Sequence, residues 1–180
     1  MNQTGGMQRR VLFVRAINVG GTAALPMAEL RELLTGLGAT DVVTYIASGN
    51  VVANVPGDSD VFDRALEAAI QTRYGWFREV MSRTPAEVRE ALAAHPFEVV
   101  DPKFSYVSFL SAEPSADAIE AAADVRVGDD RWAVIGRQLH LRYAAGAGQA
   151  TLNQEALTRR LGVAATARNL RTVEKLIALM

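Results

Sequence analysis

Two short stretches hold the residue types from which an anion cradle can be made. One is Arg15-Ala16-Ile17-Asn18-Val19-Gly20-Gly21 and the other is Ser48-Gly49-Asn50. An arginine offers a planar fork that engages two oxygens at once, and backbone N–H groups freed by a glycine turn can face a phosphate or carboxylate. Asn18 and Asn50 add side-chain amides. The same residues also suit plain turns, because glycine takes positive φ readily and asparagine can bond its own loop backbone.

A second basic group, Arg168, Asn169 and Arg171, falls near the expected start of a final helix over Leu170 to Leu179. Two arginines there oppose the helix macrodipole, a conflict that an anion, a facing carboxylate or a nucleic-acid phosphate relieves. A cap by Asn169 or Thr172, with the arginines paired to acids, is the structural alternative. The stretch from Gly146 to Thr151 reads as a glycine loop feeding a helix. It lacks the Gly-Lys-Thr ending of a Walker loop and the third glycine of a dinucleotide fingerprint, so it is taken as a turn.

Catalytic motifs are absent. There is no G-x-S-x-G, kinase set or ordered serine-histidine-acid series. The two histidines, His95 and His140, have no metal-ligand spacing, and no metal or cofactor is expected. His140 alternates with leucines, which predicts a strand face away from the core, and His95 precedes a proline at a helix end. Asp58, Asp60 and Asp63 suit a helix start, and Asp129-Asp130 a loop. Cysteine is absent, which excludes disulfides and thiolate chemistry and agrees with a cytoplasmic location. The net charge of −1 gives no global attraction to polyanions or lipid surfaces, so nucleic acid is disfavoured as a partner. No apolar run suits a membrane span or a secretion signal.

The elements that must position these residues follow from periodicity. Val11 to Val14 is a short apolar run that predicts a buried strand, and Met27, Leu30, Leu33, Leu34 and Leu37 recur at helical spacing. Val42 to Ala47 and Val51 to Val55 form a hairpin about Ser48-Gly49-Asn50. Asp60 to Tyr74 is helical and Trp76 to Met81 a strand. The order β-α-β-β-α-β is the split arrangement of ferredoxin-like folds, with strands in the spatial order 4-1-3-2. In that topology the end of the first strand, Arg15 and Asn18, and the turn at Asn50 share one rim. Strand Ser105–Leu110, helix Pro114–Ala123, a hairpin from Trp132 to Tyr143 and helix Thr151–Leu161 make a second βαββα-type half. The expected fold class is therefore α+β: a ferredoxin-like half, a second half and a C-terminal helix. The division predicted is a flexible tail over 1–8, a ferredoxin-like subdomain over 9–83, a connecting helix and linker over 84–104, and a second subdomain over 105–180.

The stretches "RAINVGG", "MAELRELL", "TYIASGNVV", "RTPAEVREAL" and "ATARNLRTVEKL" together resemble a bacterial family catalogued as a domain of unknown function, number 1697. The resemblance implies an α/β protein with a ferredoxin-like amino-terminal half and carries no function. Relatives tend to carry a basic residue in the glycine segment where this chain has none between Gly146 and Thr151. The residues favour a small cytoplasmic protein, monomer or homodimer, that binds an anionic or phosphorylated small ligand without catalysis. Its expected contacts are Arg15, Asn18, Gly20, Gly21, Ser48, Gly49 and Asn50, with Arg168, Asn169 and Arg171 as further candidates. A phosphate or acyl ester hydrolase or transferase using the arginines is one alternative, and a nucleic-acid or protein-interaction module is another.

Overall fold

The computed structural model describes residues 6–180 and divides into two units. The first comprises residues up to Val88 together with Leu176–Met180, and the second Arg89–Lys175. In the first, β1 (Met7–Val14), α1 (Met27–Gly36), β2 (Thr40–Tyr45), β3 (Asn50–Pro56), α2 (Ser59–Tyr74) and β4 (Val80–Arg83) form a four-stranded sheet in the order β2-β3-β1-β4. That is the expected 4-1-3-2 arrangement, antiparallel at every pairing. Of the expected 1–8 tail, residues 1–5 lie outside the described residues. Met7 and Gln8 belong to β1 instead, because they continue its ladder opposite Pro56 and Val55.

Alternation decides which side chains face the helices. Leu12 and Val14 of β1 and Val51, Ala53 and Val55 of β3 point one way, and Leu30 and Leu34 of α1 with Phe62, Leu66 and Ile70 of α2 pack onto them. Asp58 caps α2 by accepting from the backbone N–H groups of Asp60 and Val61, and Gly75 ends the helix in the left-handed region.

Asp63, read with Asp58 and Asp60 as an acid of the helix start, is buried in α2 and takes no part in the cap. Its Oδ2 accepts from the Ser82 backbone N–H at 3.1 Å and hydroxyl at 2.8 Å, and Arg10 Nη2 donates to the same hydroxyl at 3.1 Å. One turn on, buried Glu67 accepts from the Val80 N–H at 2.8 Å and pairs with Arg64 at 2.9 Å. The outward N–H groups of edge strand β4 thus meet helix carboxylates, which blocks pairing with another chain. Burial pushes the Asp63 carboxyl up to about 6, against the opposing pull of Ser82, Arg10 and Arg64.

After α3 (Pro85–Ala93), the second unit repeats the topology. Its elements are β5 (Ser105–Leu110), α4 (Ala116–Ala122), β6 (Arg131–Ile135), β7 (Gln138–Arg142), α5 (Gln154–Leu161) and β8 (Ala165–Asn169), in the sheet order β6-β7-β5-β8; α6 (Leu170–Ala178) follows. Beyond the expected βαββα elements, β8 completes the second sheet by pairing antiparallel with β5. Leu110, Leu139, Leu141, Leu152, Leu157 and Leu161 form this unit's helix-side core.

Asp130, expected in a loop, is buried and binds three backbone donors: Ala144 N at 2.8 Å, Thr151 N at 2.8 Å and Leu152 N at 2.9 Å. The glycine segment between them is therefore a tied turn. His140 lies on the sheet face opposite the core leucines, as its alternation requires, yet it is fully buried. Its Nδ1 is 3.2 Å from Nδ1 of His95, a contact that accommodates one proton between the two rings. Burial, reinforced by the neighbouring histidine, lowers His140 to about 4, and burial lowers His95 as well.

Three outcomes follow. Asp130→Ala leaves three backbone N–H groups without their acceptor and is expected to lower unfolding free energy by about 3 kcal/mol or more in urea titrations. The folded state keeps His140 neutral below the usual histidine range, so the unfolded chain binds more protons and this group's stability is lost as pH falls from 6.5 toward 4. His140→Gln should therefore gain on the wild type across that window by on the order of 3 kcal/mol. Asp63 has the opposite sign: its raised value means stability is lost as pH rises through about 6. Asp63→Asn should accordingly lose ground to the wild type as pH falls from 7 to 4 in the same titrations.

Candidate functional site

Three segments of the first unit converge beyond the end of β1: the 15–26 loop, the 46–49 hairpin loop and the 76–79 segment before β4. The expected strand from Trp76 to Met81 is shorter than predicted, since Trp76–Glu79 carry no ladder and only Val80–Arg83 pair with β1. Trp76 instead stacks on Tyr74 at 5.4 Å between ring centroids, and the Arg78 guanidinium lies 5.4 Å from the centre of the Trp76 ring. Arg78 Nε also donates to Ala16 O at 3.2 Å, and the Arg15 backbone N–H to Glu79 O at 2.9 Å. The segment is thereby fastened beside the β1 terminus.

Arg15 is at this rim, with its side chain 40% exposed. Its Nη1 is 3.1 Å from Glu79 Oε2, a partner the sequence does not advertise because it is 64 positions away. Asn18 is a clamp. Its Oδ1 accepts from Leu25 N at 2.8 Å, and its Nδ2 donates to Leu25 O at 2.9 Å and to Ala47 O at 2.7 Å. These bonds join the first loop to the hairpin loop and use both faces of the amide. Asn50 is a correction of a similar kind: it is a buried strand residue opposite Tyr45 and Phe13, not an exposed turn donor. Its Nδ2 donates to Tyr45 O at 3.0 Å and to Ser48 Oγ at 2.9 Å, so Ser48 and Asn50 shape the hairpin.

Glycine is required here for two different reasons. Gly20 and Gly21 have φ of 61° and 74° in the tight turn closed by Thr22 N to Val19 O at 3.2 Å, and both are exposed with open space around them. Gly49 has φ of 81°, and a Cβ there would be 2.8 Å from Val14 O and 2.9 Å from Ile17 Cδ1. Close packing excludes any side chain at that position. Around these glycines, Ala16, Asn18, Ala23 and Ile46 have φ of 49°, 55°, 49° and 51°. They are four of the five non-glycine residues in the left-handed region among the described residues. For β-branched Ile46 this conformation is a true outlier. Ile46, Val19 and Phe77 are nevertheless exposed, at 52%, 61% and 46%.

The carboxy-terminal candidates belong to the second unit. Arg168 is in β8 opposite Val107, two residues before α6 begins. Its Nη1 donates at 2.8 Å to both Thr166 Oγ1 and Ala167 O, and burial lowers its pKa to about 10. Asn169 caps α6, its Oδ1 accepting from Thr172 N at 2.9 Å, as the structural alternative has it. Arg171 is exposed in the first turn.

Among the described residues no group of three or more His, Cys, Asp and Glu side chains could hold a metal ion, and no helix is long and apolar enough to cross a membrane. The rim thus pairs two guanidinium groups with a glycine turn and exposed apolar side chains. Glu79 is the carboxylate within hydrogen-bond reach of Arg15, and it is already engaged by that arginine. Arg78, Glu79 and Ile46 are missing from the sequence reading of this rim. A cation beside Trp76 was the one signal for Arg78, and nothing local marks Ile46 as left-handed.

Comparison with known proteins adds a family and a fold. A structure described as conserved bacterial protein SP0830 from Streptococcus pneumoniae is similar over 97% of this chain and 99% of that one, with a TM-score of 0.72 and 22% sequence identity. At that identity the likeness is one of fold. No curated protein is significantly similar in sequence to this chain. The model of the family described as "Protein of unknown function (DUF1697)" matches residues 7–140, from the first residue of β1 to the centre of β7, and the chain belongs to that family.

Proposed function

We propose that this is a cytoplasmic, non-catalytic binding protein whose first-unit rim takes a small anionic or phosphorylated ligand. One observation carries the reading: four left-handed non-glycine residues and three left-handed glycines gather in the two loops beside Arg15 and Arg78. Each such non-glycine residue costs on the order of 1–3 kcal/mol, and strain of this kind collects where a ligand is clamped. Arg15 supplies a half-exposed fork and the Gly20-Gly21 turn supplies exposed backbone amides. Asn18, Ser48, Gly49 and Asn50 then act as positioning residues, since their own bonds hold the loops in place. The exposed faces of Val19, Ile46 and Phe77 suit an apolar portion of the same ligand. The proposal is confined to the first unit.

The test is thermal stabilisation by a panel of nucleotides and sugar phosphates. At least one is expected to raise the wild-type melting temperature saturably, and Arg15→Ala to abolish the increase. An increase of the same size in Arg15→Ala refutes the role of the rim. Ile46→Gly separates strain from binding: relief of the left-handed backbone should stabilise the ligand-free protein by about 1 kcal/mol, while the apparent Kd for the same ligand rises.

A further inference from the structure

The two sheets end in four outer strands, and three of these carry something that opposes the addition of another strand. Along β4 the Asp63 and Glu67 carboxylates meet the outward N–H groups. β2 is broken by a register shift between Thr40 and Val43, beside left-handed Asp41. On β8 the Arg168 guanidinium donates to the carbonyl of Ala167 at 2.8 Å. β6 has no such device: Arg131-Trp132-Ala133-Val134-Ile135 is a regular run without bulge, proline or lysine.

Which of its amides face outward follows from the ladders. Leu110 N donates to Arg137 O at 3.0 Å and Tyr143 N to Phe104 O at 2.8 Å, both in the β5·β7 register, so Leu139 and Leu141 turn their backbone groups to β5. Gln138, His140 and Arg142 then turn theirs to β6, where their register partners are Ile135, Ala133 and Arg131. Trp132 and Val134 are left aiming N–H and C=O away from the sheet. Among the described residues no hydrogen bond reaches these outward groups.

Two outward residues about one inward residue make the edge complementary to itself. With a second copy laid antiparallel and Ala133 opposite Ala133 on a two-fold axis, each Trp132 meets the second copy's Val134 and every outward N–H finds a C=O. The central pair is of the close, non-hydrogen-bonded kind, which the small alanine side chain suits. Other symmetric registers do worse. A slip one way sets Val134 against Asp130, whose N–H is already bonded to Val127 O at 3.0 Å, and a slip the other way sets Trp132 against Gly136 of the turn. In the central register half-buried Trp132 and Val134 cover each other on one face, and the Arg131 stem lies along exposed Ile135 on the other. Two positions beyond the strand ends, exposed Asp129 stands across from the second copy's Arg137, a pair of opposite charges that symmetry makes twice.

We propose that β6 pairs with β6 of a second copy of this chain, joining the two β6-β7-β5-β8 sheets into one continuous antiparallel sheet.

Sedimentation velocity of the full-length protein, from about 1 µM to about 1 mM, tests the pairing; so short an interface belongs to the weak class, with Kd on the order of 100 µM. A reversible dimer is expected. Amide exchange read from ¹H–¹⁵N spectra locates it: the N–H groups of Trp132 and Val134 should exchange fast in dilute solution and about fivefold more slowly at the highest concentration, while those of Arg131, Ala133 and Ile135 are protected throughout. Val134→Pro removes one outward N–H without touching the β7 ladder and should abolish the dimer, with its urea midpoint as the check on folding. Asp129→Arg and Arg137→Asp should each weaken the dimer about tenfold, and the two together should restore it to within about threefold of the wild type. A monomer at every concentration overturns the proposal and leaves the edge to an extended segment of another protein. A dimer in which exchange at Trp132 and Val134 ignores concentration, an unchanged Kd in Val134→Pro, or a double exchange no tighter than the single ones overturns it by putting the interface on another surface.

Discussion

The first unit depends on two helix carboxylates that terminate a sheet edge. Glu67 and Asp63, one turn apart on α2, accept from Val80 N and Ser82 N, so β4 is held from outside by side chains rather than by a fifth strand. Burying two acids on one helix face is costly, and the elevated Asp63 carboxyl records that cost. Arg64 pairs with Glu67, and the Ser82 hydroxyl, itself bonded by Arg10, donates to Asp63 Oδ2, while Asp63 Oδ1 has no hydrogen-bond partner among the described residues. The geometric effect of this edge reaches the rim. Fixing β4 at Val80 leaves Trp76–Glu79 lying against the β1 terminus, where Glu79 and Arg78 meet Arg15 and Ala16.

The rim is over-determined, which is why its strain persists. Asn18 alone fastens the 15–26 loop to itself and to the 46–49 loop, and Gly49 packs so tightly on Val14 and Ile17 that the hairpin has no room to relax. Left-handed Ala16, Ala23 and Ile46 lie in these anchored loops, whose contacts hold the strain in place.

Where periodicity and turn chemistry agreed, the sequence was legible. Leu30 and Leu34, the Phe62-Leu66-Ile70 stripe and the hairpin after Tyr45 all fall where their spacing puts them, and the sheet order follows from the split topology. Strand β8 escaped because Ala-Thr-Ala-Arg-Asn has no large apolar residue to give a period, and its pairing with β5 is set by tertiary context. Asp63 and Asp130 escaped for a related reason. An acid at a helix start or in a loop looks solvated until a strand or loop distant in sequence brings N–H groups to it. Asn18 and Asn50 were found at the correct edge, but their amides serve the backbone.

The carboxylate of Asp130 has one more implication. By gripping the amides of Ala144, Thr151 and Leu152, it occupies the seat that a phosphate takes on a glycine-rich loop. A tethered occupant acts at an effective concentration on the order of millimolar or above, so a dissolved phosphate must compete with a rival that never diffuses away. Three backbone donors beside the glycine segment are thus already matched by a carboxylate of the same chain.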